Sequence, residues 1–341
     1  MNLKELSKHL GISQTTVSRA LNGYPEVSEA TRARVIAAAN EHGYSPNTRA
    51  QGLATGLSRC IGHVISVGDS GEMVNPIFGD FMAGAGETYA AHGYDMMVTR
   101  VGQRDEADIY RRLKARGAVD GLVMHAPRFD DSRLPVLTEL GLPFVVHGRS
   151  SGANTTYSYL DVNNRSAFHE VTQHLTSLGH RRIALLNGQE QLDFAIRRRQ
   201  GYEQAMEEAG LQVDPTVMTQ GEMTEDYGYQ NAMTMLDLPE PPTAFLVSSI
   251  ICAAGVRRAL DDRNLRPGED VSIATFDDCL SYFRNSAAQP VFTAMQSSVR
   301  AAGATLAQML IDRINDPTAP HTQTLWEAEF VAGASTGPNK D

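Results

Sequence analysis

The run Ser13-Gln14-Thr15-Thr16-Val17-Ser18-Arg19-Ala20-Leu21-Asn22 holds the side chains of this sequence best suited to reading another molecule. On a helix with Val17 and Leu21 turned inward at i,i+4 spacing, Gln14, Thr15, Ser18 and Arg19 fall on the outward side. Gln can pair with adenine N6/N7, Arg with guanine O6/N7, and Thr can touch a thymine methyl, so such a face could read base edges. A small three-helix bundle with a polar surface would show the same spacing. Candidates for other chemistry are Asp277-Asp278, His125 and His147. Adjacent carboxylates after a strand commonly serve as caps or ligand acceptors. No nucleophile elbow, P-loop, GxGxxG after a strand or HExxH accompanies them, so no enzyme is expected. Cys60, Cys252 and Cys279 are far apart with no CxxC pair. They read as reduced core thiols, with no metal and no cofactor expected.

The elements that must position the reading face are short helices. Leu3, Leu6 and Leu10 line a first helix with Asn2 as N-cap and Gly11 as its stop. Ser13 caps the second helix, Asn22-Gly23-Tyr24-Pro25 breaks it, and Ser28 caps a third that runs to His42-Gly43. From Cys60 the texture alternates. Strand-like runs at 61–67, 94–101, 121–125, 143–147, 157–162, 182–187, 243–247 and 271–276 are separated mostly by amphipathic stretches of helical length. Continuous apolar strands between helices imply parallel sheets covered on both faces. There are too many units for one sheet, and the Gly/Ser-rich stretch 148–155 suggests a boundary between two doubly wound lobes. Ligands of such sheets bind at the C-terminal ends of the strands, here in the cleft between lobes.

Charge is divided in the same way. The 341 residues carry a formal net charge of −10, but residues 1–59 hold seven Lys/Arg against four Asp/Glu. A basic head on an acidic body is what a chain needs if only its head meets phosphate. No apolar run reaches the roughly 18–20 residues of a membrane span, and the amphipathic pattern starts at Leu3, so a cytoplasmic, nucleoid-associated location without membrane contact is expected.

Several motifs occur in one order along the chain: Thr16-Val17-Ser18-Arg19-Ala20-Leu21-Asn22-Gly23, Val27-Ser28-Glu29-Ala30-Thr31-Arg32, Gly43-Tyr44-Ser45-Pro46-Asn47, Leu178-Gly179-His180-Arg181-Arg182-Ile183-Ala184, Arg198 with Gly201-Tyr202, and Asp270-Val271-Ser272-Ile273 with Phe276-Asp277-Asp278. Together they resemble the LacI/GalR family of transcriptional regulators over essentially the whole chain, most nearly its regulators of α-glucoside uptake operons. The resemblance implies a helix-turn-helix head and hinge helix, followed by a two-lobed periplasmic-binding-protein-like α/β body. It implies a homodimeric repressor of carbohydrate utilisation that binds a near-palindromic operator and is switched by a small sugar. The DNA-facing set is then Asn2, Gln14, Thr15, Ser18, Arg19, Asn22 and Leu53. In the family, the leucine at the last of these positions wedges into the minor groove from the hinge helix; a plain linker there is the alternative. The effector set is Phe78, Arg198, Ser249, Asp277 and Gln296. Locally, Arg197-Arg198-Arg199 would also suit a solvated face, and Phe78 a core position.

The expected domains are 1–46 for the head, 47–59 for the hinge and 60–341 for the body. The first lobe takes about 60–155 plus 282–314, and the second 156–281 plus 315–341. Three departures from the family fall on the cleft side: Ser249-Ile250 in place of Asn-Asp, Asn163-Asn164 in place of Asp-Asn, and a long loop before Asn75. A transporter's solute-binding protein would share the lobes, but it would need a signal peptide and would lack the head.

Overall fold

The fold is taken from a computed structural model, which describes residues 1–44, 56–66, 75–101, 106–285 and 289–340. The chain forms two compact units, Met1–Arg59 and Cys60–Asp341. Leu53, most of the hinge segment and the loop before Asn75 lie outside the described residues.

The head holds helices α1 (Leu3–Leu10), α2 (Gln14–Leu21) and α3 (Glu29–Glu41). Asn2 and Glu5 form a reciprocal capping box, and Gly11 closes α1 in the left-handed region at φ 67°, where a side chain would be strained. Ser13 caps α2 and Ser28 caps α3. Leu6, Val17, Ala20, Val27, Val35, Ala38 and Ala39 make the core, with Leu3, Leu10 and Leu21 packed around it. Ile36 of α3 is exposed.

The body contains two six-stranded sheets. The first comprises β1 (Cys60–Ser66), β2 (Asp95–Val101), β3 (Gly121–His125), β4 (Phe144–His147), β5 (Ser158–Val162) and β11 (Gln323–Trp326). It is wholly parallel, in the order β11-β5-β4-β3-β1-β2. The second comprises β6 (Ile183–Gly188), β7 (Met218–Gly221), β8 (Ala244–Val247), β9 (Ser272–Asp277), β10 (Thr293–Gln296) and β12 (Glu329–Val331). Its order is β12-β10-β9-β8-β6-β7, with only β12 antiparallel.

Alternate residues of the apolar strands feed opposite faces, as a pleat requires. In the first sheet Leu122 and Met124 pack with Ile109, Leu134 and Leu137 of α5 (Glu106–Ala115) and α6 (Arg133–Leu140). Val123 and Val145 join the opposite cluster with Phe81 and Ala85 of α4 (Pro76–Ala91) and Leu306 and Leu310 of α11 (Val299–Asn315). In the second sheet Ile183 and Leu185 meet Phe168, Val171, Tyr202 and Met206 of α7 (Asn164–Ser177) and α8 (Asp193–Glu208). Ala184 and Leu186 share a cluster with Ala232 of α9 (Glu225–Leu236) and Val256 of α10 (Ile250–Asp262).

The strand pairing corrects the lobe boundaries expected from sequence. β5 and β11, assigned to the second lobe, belong to the first sheet, and β10, assigned to the first lobe, belongs to the second. The stretch 148–155 is only the connection between neighbouring strands β4 and β5. The chain crosses between sheets at Asn163, at Ser297-Ser298 and at Glu327-Ala328. A polar Gly/Ser stretch marks any loop, whereas which sheet a four-residue strand joins depends on distant partners.

Candidate functional site

In the head, the cap at Ser13 sets the rotation of α2. Its Oγ accepts from the Thr16 N–H at 3.0 Å, and with Val17 and Ala20 buried, Gln14, Thr15 and Arg19 stand exposed. Ser18 is half-buried, and its Oγ accepts from the Asn22 amide at 3.4 Å. Two arginines of α3 secure the turns: Arg34 donates to the Leu10 carbonyl at 2.7 Å, and Arg32 donates to those of Gly23 and Tyr24. Arg19 has no side-chain partner among the described residues, so its guanidinium is free for a ligand. Asn2 is exposed, but its side-chain oxygen is committed to the capping box.

In the body, Asp277 and Gln296 meet at the C-terminal edge of the second sheet, and Arg198 packs against Phe276, the residue before Asp277 on the same strand. Asp277 and Gln296 end neighbouring parallel strands in register. Gln296 donates its amide to Asp277 at 2.8 Å, and the Cys279 N–H donates to the other carboxylate oxygen at 2.8 Å. Burial pushes the Asp277 carboxyl up, and these two bonds pull it back.

Arg198 is buried, not part of a solvated face; of the three consecutive arginines only Arg199 is exposed. Its guanidinium lies 4.2 Å from the Phe276 ring centre, 4.9 Å from Phe194 and 5.0 Å from Phe168. It donates to Asn164 Oδ1 at 2.7 Å and to the Ser248 carbonyl at 2.6 Å. Burial lowers its pKa to about 10, opposed by the nearby charge of Asp278. A caged, desolvated cation with planar donors beside a carboxylate suits vicinal hydroxyls.

Gly201 makes this placement possible. A Cβ there would sit 2.2 Å from the Arg165 carbonyl oxygen, so α8 can lie against α7 only without one. Gly201→Ala is expected to cost about 1–3 kcal/mol through overpacking, read as a lower urea midpoint; a midpoint equal to or above wild type would contradict this.

Ser249 is buried, and its hydroxyl caps α10 by accepting from the Ile251 N–H at 3.2 Å; Ile250 is core. Asn163 caps α7 and donates to Glu327 at 2.8 Å, tying two of the crossings together. Phe78 stands apart from this group, on α4 of the first lobe, with its ring centre 5.2 Å from His125. Two residues on, Asp80 accepts from the N–H and hydroxyl of Ser281, both at 2.6 Å, joining α4 to the loop that follows Asp278.

Sequence reading missed three features. Asn164 orients Arg198. Phe194, four residues before Arg198 on the same helix face, forms a wall of its cage, a spacing that was legible. The third is a buried ion cluster across the lobes: Arg197 of α8 pairs with Asp161 of β5 and, at 2.9 Å, with Asp193, while Arg149 approaches Asp161 at 3.1 Å. Ser151 donates to Asp193 at 2.9 Å, and the Asp193 N–H donates to the Pro127 carbonyl.

The half-buried Asp278 carboxyl is pushed up to about 7, chiefly by burial and further by Asp277, with Arg198 opposing. Its folded pKa lies above the unfolded one, so the folded state binds more protons between about pH 4 and 7 and loses stability as pH rises through that window. The ligand-free melting temperature should therefore carry a component that falls from pH 5 to 8, and Asp278→Asn should remove it. An identical pH slope in wild type and variant would contradict the assignment.

Residues 2–47 match the profile of the bacterial regulatory proteins, lacI family, and residues 172–336 that of the periplasmic binding protein-like domain. The chain is 43% identical to the HTH-type transcriptional regulator AglR of Rhizobium meliloti (strain 1021), covering 100% of this chain and 96% of that protein. It is 32% identical to the HTH-type transcriptional regulator RafR of Escherichia coli over 98% of each. Among solved structures, a complex of the transcriptional regulator CelR with cellobiose is similar at TM-score 0.70 and 28% identity, over 98% of this chain and 99% of that one. The lac repressor dimer bound to operator and the anti-inducer ONPF is similar at TM-score 0.83 and 25% identity, over 99% of both.

Proposed function

The chain belongs to the lacI family of bacterial regulatory proteins, and from that premise we propose that it is a homodimeric repressor of a carbohydrate-utilisation operon, released or engaged by a small sugar. It is a sequence-specific DNA-binding transcriptional regulator, not an enzyme. The observation that carries this reading is the outward side of α2, where Gln14, Thr15 and Arg19 are exposed and Arg19 is uncommitted. Two such heads would read a near-palindromic operator with half-sites about one helical turn apart. Asn2, Ser18 and Asn22 would add contacts, and Leu53 would wedge into the minor groove. Residues 1–46 would form the head, 47–59 the hinge and 60–341 the body, in the cytoplasm at the nucleoid.

Arg198, Asp277 and Gln296 would hold the sugar from the second lobe, with Phe78 stacking from the first. Ser249 would contribute only the proton of a hydroxyl already used as a cap. We favour an α-glucoside as effector. It would act through its different affinity for the DNA-competent and DNA-incompetent arrangements of the lobes. To test this, genomic fragments selected on the full-length protein would be titrated by fluorescence anisotropy with and without maltose, sucrose and trehalose. The expected result is a palindromic fragment held far more tightly than random DNA, with one sugar shifting that affinity. Equal affinity for all fragments would overturn the regulator reading, and indifference to every sugar would overturn the effector class.

A further inference from the structure

Three histidines meet at the cleft side of the first lobe: His63 within β1, His125 at the end of β3 and His147 at the end of β4. The Phe81 ring stacks on His147 at 4.4 Å and meets His125 edge-on at 5.0 Å. His63 Nδ1 lies 3.0 Å from His125 Nε2, and His63 Nε2 lies 3.1 Å from the Tyr89 hydroxyl. Burial holds the His63 ring at a pKa of about 3, His147 at about 4 and His125 well below the ordinary value, so each is neutral at pH 7 and carries one proton.

Only two proton arrangements make both hydrogen bonds. In one, the Tyr89 hydroxyl donates to His63 Nε2, and His63 Nδ1–H donates to His125 Nε2, leaving His125 protonated on Nδ1. In the other, His125 Nε2–H donates to His63, whose Nε2–H donates to the Tyr89 oxygen, and the phenol proton is stranded. Tyr89 is 1% exposed, and the described residues give its hydroxyl no partner except His63. An unmade buried bond of this kind favours the first arrangement by roughly tenfold or more. His125 Nδ1 has no hydrogen-bond partner among the described residues, and His125 keeps 9% of its surface exposed. Two residues beyond His125, the Pro127 carbonyl accepts from the Asp193 N–H of the second lobe at 2.9 Å, which places His125 at the junction of the lobes beside Phe78.

We propose that Tyr89 and His63 are positioning residues that lock His125 into its Nδ1–H tautomer, so that the first lobe presents a fixed hydrogen-bond donor to the effector cleft and selects a ligand with an acceptor oxygen at that point. The selecting role rests on the sugar-cleft reading above, whereas the lock does not. Which ring nitrogen carries the proton is set by the bond made at the other, and here the chain of bonds ends on a phenol that can satisfy its own proton only by donating.

The test is long-range 15N–1H spectroscopy of the full-length protein labelled with [15N]histidine at pH 7, with His63 and His125 assigned by substitution. Both rings are expected to be protonated on Nδ1, and Tyr89→Phe should lower the ratio of Nδ1–H to Nε2–H on His125 several-fold by removing the donor that sets the direction. His125 protonated on Nε2 in wild type, or an unchanged tautomer in Tyr89→Phe, would overturn the lock. The wild-type spectrum alone identifies the tautomer, even if the variant folds poorly. Melting the same samples with maltose, sucrose and trehalose separates the two claims. The expected tautomer with no sugar-induced shift would sustain the lock and overturn its role in sugar selection. A shift weakened in Tyr89→Phe would sustain both.

Discussion

Arg19→Ala should lose operator selection while the body stays folded and sugar-responsive. A well-placed arginine on guanine contributes about 1–3 kcal/mol of base discrimination. A dimer makes the contact twice, so the operator should be bound roughly 30- to 10⁴-fold more weakly if the two heads add. The head's stability should barely move, because the Arg19 side chain is exposed and supports no turn, unlike Arg32 and Arg34, which hold backbone carbonyls. Anisotropy titrations on the operator and on a scrambled duplex at one salt concentration decide the matter. If both duplexes lose affinity equally, Arg19 is a phosphate contact and not a reader.

The second large effect is expected at Arg198. Arg198→Met keeps an unbranched side chain among Phe168, Phe194 and Phe276 but removes the guanidinium. Truncating a buried, hydrogen-bonded charge at a binding site typically costs 2–5 kcal/mol or more of affinity, so the effector should bind at least about 30-fold more weakly. Stability should respond far less. The cation is already held down by desolvation, and an apolar side chain relieves that strain even as Asn164 and the Ser248 carbonyl lose a donor. Calorimetric titration of the sugar together with urea unfolding separates the two. Full retention of sugar affinity would remove Arg198 from the site.

The head was the most legible part of the sequence because its signals are local. Asn2, Ser13 and Ser28 are caps within three residues of the N–H groups they satisfy, and Gly11 stands where the backbone turns left-handed. The long apolar strands were equally plain. The short strands β7, β10, β11 and β12 were not. The lobe boundaries failed for a different reason: β5 and β11 pair in register, Tyr159 with Gln323, across more than half the body. Of the effector candidates, Arg198, Asp277 and Gln296 came from motif resemblance; the structure joins Asp277 to Gln296 and sets Arg198 against Phe276. Nothing within Arg197-Arg198-Arg199 distinguishes the arginine caged by Phe168, Phe194 and Phe276 from the one that faces Asp161. That choice is made by helix rotation, which Gly201 and the α7 backbone impose.

Salt acts very differently on the two ends of this chain. A head that binds phosphate through Lys and Arg loses affinity steeply as counterions accumulate. Asp161 and Arg197, which span the lobes, are 4% and 5% exposed, beyond the reach of a screening atmosphere. Parting them means rehydrating both at once, with little gained from separating them halfway. The body should therefore rest in one of two arrangements like a toggle with a detent, and the sugar concentration that flips it should hold steady across ionic strengths that change DNA affinity by orders of magnitude. An osmotic swing would then alter how tightly the head grips DNA without altering how the body answers its ligand.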